Sequence, residues 1–206
     1  MYPVMLDLSG KLCVIIGGGR IAFRRIGALL EAGAQVRVVS PKLCEEISEL
    51  SDDNKVTVLR KVAEKEDYKD AFLIIAASDS TQVNREVQEN SGEHQLVNVA
   101  SDHELGNFHI PAVAARGKLV IGISTSGASP HLAKKIKDRL LNEYDESYEE
   151  YLEFLSEERK IINRSALDPS LKTKLLSELT DEKYKEIRIE RMNFDNRLQS
   201  MLETKP

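Results

Sequence analysis

An excess of basic charge, paired cysteines and long apolar runs are all missing from this sequence. With 29 Lys and Arg against 34 Asp and Glu in 206 residues, the formal charge is −5. That balance gives no electrostatic reason to expect a nucleic-acid backbone as the main partner. The two cysteines, Cys13 and Cys44, lie in apolar-rich stretches and make neither a C-x-x-C pair nor a Cys/His metal spacing. A reducing, cytoplasmic setting is the simpler expectation. The longest apolar runs, 71–77 and 119–123, fall far short of the roughly 20 residues a membrane span requires. The opening M-Y-P-V-M-L-D-L has no basic n-region and no cleavage site, so no signal peptide is expected. None of the four histidines, His94, His103, His109 and His131, falls in an H-E-x-x-H or other zinc spacing, and no metal site is expected. Tyr68, Tyr144, Tyr148, Tyr151 and Tyr184 all lack a Lys four residues on, which excludes the Y-x-x-x-K acid–base pair of short-chain dehydrogenases. What remains is an ordinary soluble composition, 41% hydrophobic and 31% charged, long enough for one or two domains with a real core.

The first 110 residues alternate short β-branched runs with helical patterns. Strands are predicted at Lys11–Ile16, Gln35–Val39, Val56–Leu59, Phe72–Ala77 and Leu96–Ala100. Helices are predicted at Ile21–Glu31, with Ile26, Leu29 and Leu30 inward, at 42–51, and at Thr81–Asn90. Strand–helix alternation at this spacing predicts βαβ units around a parallel sheet. Phe108–Ala115 and Lys118–Thr125 then read as two extended runs joined by Arg116-Gly117, a hairpin signal. A small-residue loop, Ser124–Pro130, opens a helix to about Leu141, with Leu132, Ile136 and Leu140 as its inward stripe. From Glu143 to Glu158 there are eight acidic residues and no basic one. Tyr144, Tyr148, Tyr151, Leu152 and Leu155 still recur there at helical spacing, which predicts an acid-faced helix. Asp168-Pro169 breaks the next helix. Thr180-Asp181 can cap a last one with Tyr184, Ile187, Phe194, Leu198 and Met201 inward. There is no internal repeat.

The strongest chemical signal is Gly17-Gly18-Gly19-Arg20-Ile21-Ala22, set between a predicted strand and a predicted helix. It fits G-x-G-x-x-A, in which Gly17 permits the tight turn, Gly19 lets the backbone approach a pyrophosphate, and Ala22 permits close helix–sheet packing. Free N–H groups at the helix start then hold the anion. A carboxylate for the adenosine ribose belongs at the end of the second strand, and here the chain reads Ser40-Pro41-Lys42 instead. Ser40 can bond a ribose hydroxyl and Lys42 can approach a 2′-phosphate, so the residues alone leave NAD and NADP both open. The second patch is Ser124–Pro130, where Ser129 suits an N-cap, Pro130 the first helical position, and Gly127 an anion-receptive corner. His131, Lys134, Lys135, Asp138 and Arg139 lie away from the apolar stripe of that helix, either as a solvated face or as cations for a carboxylate-rich substrate.

Asp7-Leu8-Ser9-Gly10-Lys11, the Gly17–Ala22 loop, Ala76-Ala77-Ser78-Asp79, Asn98-Val99-Ala100, Phe108-His109-Ile110-Pro111-Ala112 and Ser124–Pro130 together resemble the precorrin-2 dehydrogenase module of siroheme synthases. The resemblance covers about 2–142; the helical tail matches only in size and character. It implies a Rossmann-type domain over 1–112, a dimerisation hairpin and helix over 113–145, and a small all-helical domain over 146–206. It implies NAD as cofactor, precorrin-2 as substrate and sirohydrochlorin as product, in a homodimer with no nucleic-acid or membrane partner. The family's NAD contacts carry over to Arg20, Ile21, Pro41 and Lys42, with the glycines beneath them, while Ala77, Ser78, Asn98 and Val99 close the crevice. Substrate contacts are expected from Ser124, Thr125, Ser126, Gly127, Lys134 and Lys135, and the catalytic candidates are Asp102, His109 and Ser124. Bifunctional members of the resembled family carry an Asp three residues after the Asn of the N-V motif. Here that position is Ser101, with Asp102 and His103 following. No appended methyltransferase is expected. The expectation is a dehydrogenase that leaves metal insertion to a separate chelatase. A bifunctional dehydrogenase–ferrochelatase and a non-catalytic NAD-sensing module are the alternatives.

Overall fold

A computed structural model describes residues 1–102 and 104–203; His103 therefore lies outside the described residues. The chain divides into two compact units, Met1–Ile110 and Pro111–Pro206.

In the first unit the order is β1 (Leu12–Ile16), α1 (Arg20–Glu31), β2 (Gln35–Val39), α2 (Glu45–Asp52), β3 (Thr57–Leu59), α3 (Lys65–Tyr68), β4 (Leu73–Ala76), α4 (Thr81–Asn90) and β5 (Leu96–Val99). The five strands form one parallel sheet in the order β3-β2-β1-β4-β5. Parallel strands need crossover helices, and helices on both faces bury the central strands β1 and β4 almost completely. That is why L-C-V-I-I and L-I-I-A read as unbroken apolar runs. Cys13 and Ile15 of β1 pack with Ala22, Ile26 and Leu29 of α1 and Ile47 of α2. Val14 and Ile16 point to the other face, among Tyr68, Ile74, Val87, Val97 and Val99. Leu30 lies at the edge of the first cluster, so the inward set expected on α1 is met. The sequence reading passed over α3, a single turn capped reciprocally by Glu64 and Asp67. It also began α2 too early, because residues 40–44 are loop.

The second unit contains β6 (Ala112–Arg116), β7 (Leu119–Ile123), α5 (Pro130–Glu143), α6 (Ser147–Arg164), α7 (Pro169–Glu178), α8 (Lys183–Glu186) and α9 (Arg188–Glu203). β6 and β7 pair antiparallel, with Arg116 opposite Leu119. The turn is thus Gly117-Lys118 and not Arg116-Gly117. Gly117 has φ +51°, the left-handed first central position that suits hairpin twist. Three further expectations are corrected. Residues 108–111 are not strand. Glu143–Glu158 is not one helix, because Asp145 Oδ1 accepts from Ser147 N–H at 3.0 Å and opens a new one. Leu132 is 49% exposed and so leaves the predicted inward stripe, where Ala133 is the buried residue.

The final predicted helix is broken at Ile187, which is 45% exposed. The buried Arg191 donates to the carbonyls of Tyr184 and Lys185, closing the end of α8. Its guanidinium lies 5.8 Å from the Tyr151 ring and 5.7 Å from that of Phe154. The core of this unit is Tyr151, Ile162, Leu167, Leu175, Leu179, Tyr184, Phe194 and Leu198.

Candidate functional site

The carboxyl ends of the parallel strands meet at the loop after β1, where doubly wound sheets bind ligands. Gly17 and Gly18 are buried there, and Gly19 and Arg20 are exposed. Gly17 has φ +121°, and a Cβ on it would lie 2.4 Å from the Ala77 carbonyl oxygen. A Cβ on Gly18 would lie 2.1 Å from the Lys42 carbonyl oxygen, whereas one on Gly19 would meet nothing within 4 Å. Ala22 is fully buried against the sheet. The Gly19 cap of α1 has no side-chain hydrogen bond, and the first turn holds no acid. Unclaimed N–H donors, the positive helix end and a bare glycine face therefore converge on one concavity. Ile21 stands beside it, 50% exposed.

On the β2 side, Ser40 is buried and its hydroxyl donates to the Lys42 carbonyl at 2.7 Å. Cys44 N–H donates to Gly18 O at 2.7 Å. These bonds fold Ser40-Pro41-Lys42 over the glycine loop and leave Pro41 and Lys42 exposed. The Ser40 proton is thus engaged within the loop. Glu46, in the first turn of α2, is held below the ordinary carboxylate range by its own backbone N–H first, by Cys44 next, and also by the charge of Arg20. The acid absent from the end of β2 thus has a counterpart in Glu46, in the first turn of α2, which no ribose-acid spacing points to.

On the β4 and β5 side, Ala77 N–H donates to Ile16 O at 2.8 Å and Ala100 N–H to Ala76 O at 2.8 Å, extending the ladder past both strand ends. The Asn98 amide donates to Phe108 O at 3.1 Å and ties down the chain that carries His109. Asp102 Oδ1 accepts from Glu104 N–H at 2.9 Å, so one of its oxygens serves a local turn. Asn84 of α4, which motif reading passed over, is 1% exposed. It bonds both backbone groups of Ser78 and also the Ser101 hydroxyl.

The remaining candidates gather in the second unit. Ser126 and Gly127 both take left-handed backbone, φ +51° and +85°. Ser124 Oγ accepts from Ser126 N–H, Thr125 Oγ1 from Ser129 N–H, and Ser129 Oγ from Leu132 N–H, at 3.1, 3.0 and 3.2 Å. A non-glycine residue at positive φ costs about 1 kcal/mol or more and persists where its surroundings enforce it. The loop is therefore a fixed corner leading into α5, from which Lys134 and Lys135 project into solvent.

Residues 4–112 match the family described as putative NAD(P)-binding, 116–143 the sirohaem biosynthesis protein central family, and 148–194 the SirC C-terminal domain. The precorrin-2 dehydrogenase of Priestia megaterium is 44% identical over 185 residues, which is 90% of this chain and 92% of that protein. The chain belongs to the precorrin-2 dehydrogenase family. The member from Bacillus subtilis (strain 168) is 40% identical over 68% of this chain and 86% of its own length. A solved structure described as SirC, precorrin-2 dehydrogenase, superposes with a TM-score of 0.87 at 41% identity, covering 97% of this chain and 100% of that one. The siroheme synthase of Ruthia magnifica is 35% identical over 71% of this chain, which is 31% of that longer protein.

For a precorrin-2 dehydrogenase the glycine concavity fits the dinucleotide on its own geometry. It offers backbone donors at an uncapped helix start and open space at Gly19, where a phosphate must come close. Among the described residues no three His, Cys, Asp or Glu side chains cluster in a way that could hold a metal ion.

Proposed function

We propose that this chain oxidises precorrin-2 to sirohydrochlorin in siroheme biosynthesis, with the Gly17–Ala22 crevice holding NAD. The observation that carries the reading is the crevice itself, built on a chain that follows its family from residue 4 to 194. NAD, when bound, supplies the hydride acceptor, and the substrate also releases a proton as its new double bond forms. The chain's own residues bind and orient. Gly17, Gly18, Gly19, Arg20, Ile21 and Ala22 hold the pyrophosphate. Ser40 shapes the turn that presents Pro41 and Lys42 to the adenosine end. The strand order supports that end lying over β2 and the reacting end toward β4 and β5, over Ala77, Ser78, Asn98 and Val99.

Precorrin-2 is rich in carboxylates, and the Ser124–Gly127 corner with Lys134 and Lys135 offers backbone donors and cations to receive them. Ser124 keeps its place among the catalytic candidates through that corner. Water, the second oxygen of Asp102 or the His109 imidazole takes the proton. Because alignment against the dinucleotide supplies most of the rate, losing any one acid or base has a modest effect.

The enzyme works as a homodimer and passes its product to a separate chelatase. Metal insertion needs a base that strips pyrrole protons. Ser101, which stands where bifunctional members carry their Asp, is not one. The test is paired. Purified protein, kept anaerobic, should form NADH from precorrin-2 and NAD, and should add nothing to the uncatalysed rate of cobalt or iron insertion into sirohydrochlorin. Absence of NADH formation would overturn the dehydrogenase reading. Fast metal insertion lost in Asp102→Ala would restore the bifunctional one.

A further inference from the structure

One side chain links two strand ends at the reacting half of the crevice. Asn84 Oδ1 accepts from Ser78 N–H at 3.0 Å, and its Nδ2 donates to Ser78 O at 2.9 Å and to Ser101 Oγ at 3.2 Å. The first two bonds fix the amide orientation, since Ser78 needs an acceptor at its N–H and a donor at its C=O. They also suffice to hold the loop after β4, which Ser78 Oγ reinforces by accepting from Ser80 N–H at 3.1 Å. The third bond reaches an exposed residue, Ser101, just past β5.

That bond has a direction. The amide nitrogen has only hydrogens to offer, so Ser101 Oγ accepts and its own proton turns elsewhere. No acceptor among the described residues takes that proton. Ala77, next to Ser78, carries the carbonyl that faces Gly17, so Ser101 is connected to the glycine loop through Asn84, Ser78 and Ala77.

We propose that Asn84 is a positioning residue that sets the Ser101 hydroxyl as a hydrogen-bond donor to an sp² oxygen of the bound reactants. The proposal rests on the reading of this crevice as the dinucleotide site. The oxygen belongs to the nicotinamide carboxamide or to a carboxylate of precorrin-2, and the two sources separate by measurement. Ser101→Ala removes the donor. Asn84→Asp keeps an acceptor for Ser78 N–H and gives up the donor to Ser78 O, a loss that Tm reads; beside Ser101 its carboxylate captures the hydroxyl proton and reverses the bond.

The experiment measures NADH affinity by fluorescence titration without tetrapyrrole, the steady-state constants for precorrin-2, and Tm. Ser101→Ala should lower kcat/KM for precorrin-2 by about tenfold with Tm unchanged, the scale of one lost hydrogen bond. Ser101→Thr should restore it. Asn84→Asp should match Ser101→Ala, and the double variant should be no worse than either single one. NADH affinity falling in parallel assigns the oxygen to the carboxamide; unchanged NADH affinity with a raised KM for precorrin-2 assigns it to the substrate. Wild-type constants and NADH affinity in Ser101→Ala, or additive losses in the double variant, would overturn the proposal. If Asn84→Asp fails to fold, Asn84→Ala takes its place: Ser101→Ala should then cost nothing further in the Asn84→Ala background, and a full further tenfold loss would overturn the proposal. Wild-type protein that makes no NADH would sink the functional reading instead, a failure visible before any variant is compared.

Discussion

Three adjacent glycines meet different surroundings, and the difference predicts separate failures. Gly18→Ala drives a methyl group into the Lys42 carbonyl oxygen, a backbone atom that cannot swing away. It should destabilise the protein by at least about 2 kcal/mol, read by chemical denaturation. A Cβ at position 19 meets nothing within 4 Å, and the residue sits at an ordinary φ of −94°, so Gly19→Asp fits the backbone. It should leave stability within roughly 0.5 kcal/mol of wild type. Its carboxylate nevertheless occupies the phosphate position, and NADH affinity should fall at least about 100-fold. A folded Gly19→Asp protein with unchanged NADH affinity would show that the pyrophosphate binds elsewhere. At the same scale, reversing both charges with Lys134→Glu and Lys135→Glu should raise KM for precorrin-2 roughly tenfold through lost attraction. NADH affinity should not move. A parallel loss of both would place the two lysines at the dinucleotide.

Between α6 and α9 the packing brings two acids together in an apolar surround. Glu158 is 5% exposed, and its carboxyl is pushed up to about 7, by burial first and then by the facing Asp195 and the adjacent Glu157. Glu158 Oε2 and Asp195 Oδ1 have no other hydrogen-bond partner, so a proton shared between them satisfies both oxygens. The charges acting on Glu158 are thus both acidic, and three cations of the same unit are engaged elsewhere. Lys172 of α7 is on the carbonyls of Asn163 and Ser165, Arg197 on Glu178, and Arg191 on Glu150 and the end of α8. Because the folded-state pKa is raised, the native protein binds the proton more tightly than the unfolded chain. The contribution is complete below about 4.5, and is lost as pH rises through about 7. Glu158→Gln should therefore gain stability relative to wild type as pH rises from 5 to 8, by about 1–2 kcal/mol at the upper end. Denaturation curves at several pH values check it; a pH-independent difference would mean that the two acids do not share a proton.

At the level of the whole molecule, the β6–β7 hairpin buries one side only. Val113 and Val120 are 41% and 45% exposed and alternate with the buried or half-buried Ala114 and Ile121. Leu132 of α5 is exposed to a similar degree. An apolar strand face beside open sheet edges suits pairing with a second copy, since a two-fold operator lets one patch meet itself. Val113→Asp combined with Val120→Asp should convert a dimer to a monomer at micromolar concentration. Light scattering would report the mass, and circular dichroism should report intact secondary structure. A wild-type monomer under those conditions would contradict the homodimer.

The parallel sheet and the glycine loop were legible in the sequence because both are local. A strand buried on two faces is a short apolar run, and a crossover helix carries its own stripe. An anion-binding turn likewise needs small residues at fixed spacing. The hairpin, the Ser129 cap and the Asp168-Pro169 break were local too, with Asp168 capping α7 through Ser170 N–H at 2.8 Å. Three features depended on contacts distant in sequence. Gly18 must be glycine because the Lys42 carbonyl returns over it. Glu158 holds its proton only because α9 brings Asp195 against it. Asn84 reads as an unremarkable helix residue until the sheet sets β4 beside β5, and only then can one amide reach both Ser78 and Ser101. The chemistry of the turn is written in adjacent residues, while the orientation of the groups around it is set by which strands lie side by side.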